Sequence, residues 1–274
     1  MIIKRILVAI DASPYSLAAL AAAADLAEKL QVELCGLYVE DINLLRLAEL
    51  PFARELRYSR PESHKLDSAQ MAEQLRLQAA LARRHFEDLA AARKLLCSFQ
   101  VVRGAISGEL ENAAQETDLL VLGRISRSLL RTNRLGSTAK TAVARAQQSI
   151  LLTHAQADLS QPILLIYDGS EAAERALTMA VHLGGGNGRV HILIHTADDQ
   201  KAQVIKASLD LRFQIEKLAG SFRRLYYLNT PEISHILHMT QSGVLILNLN
   251  NEQLTPALTK ELLETLDCAI LLIK

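Results

Sequence analysis

The chain has 274 residues, which is long for one ordinary domain and comfortable for two. Half of the residues are hydrophobic and only 22% are charged, a balance that excludes a disordered chain and supplies a sizeable core. Lys+Arg and Asp+Glu are equal at 30 each, so no net charge draws the protein to nucleic acid or to an anionic membrane.

The first apolar run, 6–10, is short and meets Asp11 with no small-residue cleavage site, so it predicts a strand rather than a secretory signal. A helical pattern follows over 17–30; its alanine-rich part is too short to span a bilayer and runs directly into Asp25, Glu28 and Lys29. A second strand is expected at 33–39. The segment 41–65, with Pro51, Pro61 and mixed charge, reads as an excursion off the sheet. Then come a long helix over 68–96, a strand at 98–102, a helix over 109–116, a strand at 119–122, a helix over 138–147 and a strand at 150–153. Short continuous apolar strands alternating with helices predict an α/β fold with a parallel sheet covered on both faces. The polar stretch 155–162, ending in Pro162, is the natural linker. Cys35, Cys97 and Cys268 lie far apart beside apolar runs, which predicts buried, reduced thiols in a cytoplasmic protein.

The pattern then begins again. Ile6-Leu-Val-Ala-Ile-Asp-Ala-Ser13 recurs 157 residues later as Ile163-Leu-Leu-Ile-Tyr-Asp-Gly-Ser170, and Leu37-Tyr38-Val39 falls on Ile194-His195-Thr196. Leu119–Gly123 matches Val244–Asn248 at an offset of 125, and Ile150-Leu-Leu152 matches Ile270-Leu-Leu272 at an offset of 120. The second copy is therefore shorter in its middle and again after its fourth strand. Two domains are expected, 1–155 and 161–274, each a doubly wound parallel sheet of five strands.

Ligands of such sheets bind beyond the carboxyl ends of the strands, where strand order reverses. Those ends carry Asp11-Ala12-Ser13, Val39-Glu-Asp41, Gly104 and the segment from Gly123 through Arg124, Ser126, Arg127, Arg131 and Arg134 to Gly136-Ser137-Thr138. Gly123 permits unusual backbone angles and close ligand approach. Gly136-Ser137-Thr138 sets free N–H groups and hydroxyls at a helix start, where the dipole favours anions. The four arginines add positive charge with no acid among them. These features suit a polyphosphate; a solvated loop with an ordinary Ser/Thr helix cap uses the same residues.

The strand–Asp-x-Ser turn, a fourth strand ending in Leu-Gly, and the spacing Gly-x2-Gly-x9-Gly-Ser resemble the universal stress protein family, with the family's second glycine replaced by Ser126. The resemblance extends over nearly the whole chain twice. It implies ATP binding; no His or carboxylate lies near Ser137 and Thr138 in sequence to act as a base, so little or no hydrolysis is expected. Asp11 and the backbone at Val39 would hold adenosine, and Gly123, Gly136, Ser137 and Thr138 the ribose and phosphates, with Ala12, Ser13, Arg124, Ser126 and Arg127 alongside. Mg2+ or Mn2+ would be held through the phosphates. It also implies that the last strands of the two copies, around 149–153 and 268–274, pair within the chain as a built-in pseudo-dimer. Two chains would then associate as a homodimer. In the second copy the segment after Asn248 holds no glycine, so that copy is expected to lack ATP. The competing expectation is a scaffold or small-ligand binder that uses the space between helix 68–96 and the sheet. Glu232, His235 and His238 share a helix at spacings of three, a pattern better explained by a half-exposed helix face than by zinc.

Overall fold

The computed structural model describes residues 3–11, 13–50, 54–57, 60–65, 67–124, 135–154, 158–184, 189–251 and 253–274. The first half runs β1 (Arg5–Ala9), α1 (Pro14–Leu30), β2 (Glu33–Asp41), α2 (Ile42–Glu49), β3 (Arg54–Arg57), β4 (Arg60–Lys65), α3 (Ser68–Ala92), β5 (Cys97–Gly104), α4 (Ile106–Ala114), β6 (Leu119–Gly123), α5 (Ser137–Arg145) and β7 (Ser149–Thr153). The second runs β8 (Ile163–Tyr167), α6 (Glu171–Gly184), β9 (Arg189–His195), α7 (Asp199–Glu216), β10 (Ala219–Leu225), α8 (Thr230–Thr240), β11 (Val244–Asn248), α9 (Pro256–Thr265) and β12 (Ala269–Ile273).

Ten strands form one sheet in the order β10-β9-β8-β11-β12-β7-β6-β1-β2-β5. Within each half of this sheet every pairing is parallel, and the spatial order of its strands is third, second, first, fourth, fifth. The halves meet where β12 runs antiparallel to β7, with Ile270 opposite Leu152 and Leu272 opposite Ile150. The expected pairing of the last strands is thus found, and it fuses the two five-stranded sheets into one. The antiparallel junction also sets the carboxyl edge of the first half beside the amino edge of the second.

The strands at the centre are apolar throughout because both faces are covered. One core lies on the α1, α3, α6 and α7 face, and the other on the α4, α5, α8 and α9 face; each draws buried side chains from both halves. Helix α1 shows why the sequence breaks where it does. Ser13 caps it by accepting the Ser16 N–H at 3.2 Å, Pro14 opens it, and Gln31 ends it in the left-handed region at φ 54°. The excursion at 41–65 contains α2 and the β3–β4 hairpin, which forms a separate two-stranded sheet. The second half has only α7 between its second and third strands, where the first half has α2, the hairpin and α3, and this accounts for its shorter middle.

Three expectations need correction. The long helix stops at Ala92, because Lys94 takes a left-handed φ of 54°. Helix α4 begins at Ile106 instead of 109; its N-cap Ala105 carries no capping side chain, so the sequence held no start signal. Cys35 and Cys268 are buried, but Cys97, the first residue of edge strand β5, is exposed. Among the described residues, no helix is long and apolar enough to cross a membrane.

Candidate functional site

At the carboxyl edge of the first half, β1 sits between β2 and β6, the point where strand order reverses. A cleft of about 110 Å³ opens there, and its walls include Asp11, Ser13, Val39, Gly123 and Thr138. Five residues chosen from sequence, drawn from four separate segments, therefore meet around one opening. The enclosed volume is well below the roughly 300–1,000 Å³ of small-molecule pockets, so a nucleotide would place only part of itself within these walls.

Asp11 and Ser13 belong to one turn. Asp11 Oδ1 accepts the Ser13 N–H at 2.9 Å, and the Ser16 hydroxyl donates to the carbonyls of both Asp11 and Ser13, the latter at 3.0 Å. This fixes the Asp11 carboxylate at the mouth of the cleft, exposed and with its second oxygen free of any partner among the described residues. Ser16 and Ile106 also line the cleft and were missed. Ser16 lies three residues after Ser13, a spacing typical of helix-cap serines, whereas no sequence signal marks Ile106.

Val39 contributes its backbone. The Leu37 carbonyl accepts the Ile10 N–H at 2.8 Å, and alternate residues of a strand direct their N–H and C=O to the same side. Val39 therefore presents both groups toward β1, beyond the point where β1 has ended. Among the described residues neither group has a partner.

Gly136 is the N-cap of α5, at φ −61° and ψ 155°, and it has no side chain to cap the first-turn N–H groups. Thr138 and Ala139 in that turn line the cleft, while Ser137 is exposed beside it. Gly123 does not take a left-handed conformation. A Cβ there would lie 3.0 Å from the Tyr15 carbonyl oxygen, so close packing of α1 on β6 explains this glycine without a ligand.

Arg124 requires the main correction. It was expected to face phosphate, but only 2% of it is exposed, and it points into the junction between the halves. Nη1 donates to the Leu266 carbonyl, and Nη2 lies 3.4 Å from Asp267 Oδ1. A guanidinium committed there is unavailable to the cleft. Ala12, Ser126, Arg127, Arg131 and Arg134 lie outside the described residues.

In the second half the equivalent space is occupied. Asp168 Oδ1 accepts the Ser170 N–H at 2.9 Å, repeating the Asp11 turn. Asn248 stands where the first half has Gly123; its Nδ2 donates to Ser170 Oγ at 3.2 Å and its Oδ1 accepts the Asn250 N–H at 2.9 Å. His195, at the position of Tyr38, is buried, with one ring nitrogen against the Leu225 carbonyl at 3.0 Å and the other against Gln253. Glu232 lies in the first turn of α8, its N–H bonded to Asn229 Oδ1, and no metal-binding cluster of three His, Cys, Asp or Glu occurs among the described residues. Between α3 and the sheet, Phe86 and Phe99 fill the space over Gly36, where an added Cβ would come within 2.5 Å of Phe99. That leaves little room at this point for the alternative small ligand.

Comparison with known proteins fits this architecture. The sequence model for the universal stress protein family matches residues 3–154. A universal stress protein from Archaeoglobus fulgidus DSM 4304 superposes with a TM-score of 0.75 at 15% identity, covering 98% of this chain and 96% of that one. A putative universal stress protein from Pseudomonas aeruginosa UCBPP-PA14 gives 0.61 at 14% identity over 99% of this chain and 93% of its own. A functionally unknown protein from Pseudomonas aeruginosa PAO1 gives 0.61 at 14% identity, over 99% and 92%. At these identities the likeness is one of fold. The sequence has no match among curated proteins. With more than half of its length matched by the family's sequence model, the chain belongs to the universal stress protein family.

Proposed function

We propose that the first half binds an adenine nucleotide, ATP in its fullest form, and that the protein serves as a cytoplasmic nucleotide-responsive regulator with little or no turnover. The observation that carries this is the convergence of Asp11, Val39, Gly123 and Thr138 on one cleft at the switch point of the sheet. The N–H and C=O of Val39, without a partner among the described residues, form a donor–acceptor pair that complements the N1 and N6 edge of adenine. The second oxygen of Asp11 suits a ribose hydroxyl. The start of α5, with the Ser137 and Thr138 hydroxyls and uncapped N–H groups, suits phosphate, and a divalent cation would reach the protein through those phosphates.

Among the described lining residues Asp11 is the only carboxylate, and no histidine or cysteine stands with it. With Asp11 assigned to the ribose, no second carboxylate, histidine or cysteine among the described lining residues is left to serve as a base for hydrolysis. The test is mass spectrometry of small molecules released from protein purified without added nucleotide, followed by equilibrium dialysis against ATP. An adenine nucleotide in either experiment supports the proposal. A different ligand released, or no adenine nucleotide in either experiment, overturns it.

A further inference from the structure

We propose that Arg124 is a positioning residue through which the second half holds the base of the first half's nucleotide site; this rests on the nucleotide-binding function proposed above. A buried guanidinium persists only where it is paired, and the acceptors that its guanidinium meets among the described residues, at Leu266 and Asp267, come from the other half. Leu266 is the C-cap of α9, so its carbonyl is an orphan acceptor at the negative end of a helix. Asp267 adds a carboxylate at 3.4 Å.

The backbone of Arg124 is fixed at the same time. Its N–H donates to the Thr153 carbonyl at 2.7 Å, and its carbonyl accepts the Gly136 N–H at 2.9 Å. One residue thus joins the end of β6 to the start of α5 through its backbone and ties both to α9 through its side chain. Thr138 and Ala139, on the wall of the cleft, lie within the first turn after Gly136.

A reciprocal contact exists at the opposite end of α5. Lys274 Nζ donates to the carbonyls of Val143, at 3.3 Å, and of Ala146, the C-cap of α5. The position equivalent to Arg124 in the second half is Leu249, whose N–H donates to the Ile273 carbonyl at 2.9 Å and whose side chain carries no charge. Each half thus lends a cation to the last helix of the other; Lys274 meets the far end of α5, whereas Arg124 is bonded through its own backbone to Gly136, at the end of α5 that lines the cleft. The second half, its own site occupied by Asn248, acts as a support for the first.

The experiment uses the full-length chain, with hydrogen–deuterium exchange of the ligand-free protein and calorimetric titration with ATP. In Arg124→Met, amide exchange across 135–139 accelerates about tenfold and ATP affinity falls about tenfold, the loss expected for a charge-assisted hydrogen bond. Arg124→Lys recovers part of both. Lys274→Met, which breaks the reciprocal contact, leaves ATP affinity within about twofold, whatever it does to stability. If Arg124→Met fails to fold, Asp267→Ala, altered at an exposed side chain, moves both readouts in the same direction by about threefold. Wild-type exchange at 135–139 in Arg124→Met, unchanged ATP affinity in that variant, or an equal loss in Lys274→Met overturns the proposal. If the wild-type protein binds no adenine nucleotide, the functional proposal fails, and the exchange comparison alone decides whether Arg124 anchors this base.

Discussion

Asn248 donates its side-chain amide to the Ser170 hydroxyl at 3.2 Å, closing in the second half the space above the Asp-x-Ser turn. The same amide group accepts the Asn250 N–H, so a buried side chain satisfies itself locally instead of meeting a ligand. We expect Asn248→Ala to cost about 1–2 kcal/mol in stability, from the two hydrogen bonds it removes and the space its buried side chain vacates. ATP affinity should stay at the wild-type value. Denaturant unfolding and calorimetry on one preparation check both; a changed affinity would show that the second half takes part in binding directly.

Gly123→Ala separates packing from ligand approach. The added Cβ would lie 3.0 Å from the Tyr15 carbonyl oxygen and 3.1 Å from its Cβ. The start of α1 must therefore shift, at a cost of about 1–3 kcal/mol. That loss should be present in ligand-free protein, as a lower denaturation midpoint at unchanged m-value. Wild-type stability in the absence of nucleotide would return this glycine to a role in ligand approach alone.

Because both cores draw on both halves and β7 pairs with β12, the chain should unfold as one unit. Leu272 is fully buried opposite Ile150, so Leu272→Ala should cost about 2–5 kcal/mol and shift the whole transition. Fluorescence and circular dichroism following one coincident transition, before and after the substitution, is the expected result. Two separated transitions would mean that the halves are thermodynamically independent.

His154 faces Arg124 and Asp267 at the junction of the halves, and it makes a hydrogen bond to the Asp267 backbone. Burial, together with the nearby guanidinium, holds its pKa below the ordinary 6.5. Protonation is then easier in the unfolded chain than in the folded one. The stability from neutral His154 is fully present above pH 6.5 and is lost as pH falls below 6.5 through the depressed folded value. Thermal melts across this range should show stability declining toward acid, and His154→Gln should flatten that slope. An unchanged slope would place the acid sensitivity elsewhere.

The central strands and the repeat were legible because a parallel sheet covered on both faces writes its strands as unbroken apolar runs. Once the strands were placed, their carboxyl ends were placed too, which is why Asp11, Val39, Gly123 and Thr138 came together as expected. Edge strand β10 was not marked as a strand, since Ser221, Arg223 and Arg224 interrupt it. The opening of α4 lacked a capping side chain to announce it. Arg124 was misplaced for a different reason: in a row of arginines, nothing local distinguishes the one whose partner is a helix end 142 residues away. Gly123 was singled out for unusual backbone angles and ligand approach, whereas the close approach of Tyr15 that demands a glycine there is a tertiary fact.

The most direct test of the nucleotide site is calorimetric titration of the wild-type chain and of a Gly136→Ala, Ser137→Ala double variant with ATP in the presence of Mg2+. The account predicts one ATP bound per wild-type chain and no detectable binding in the double variant, with the fold intact by circular dichroism. Equal affinity in the two proteins, or two equivalents bound per chain, would contradict it.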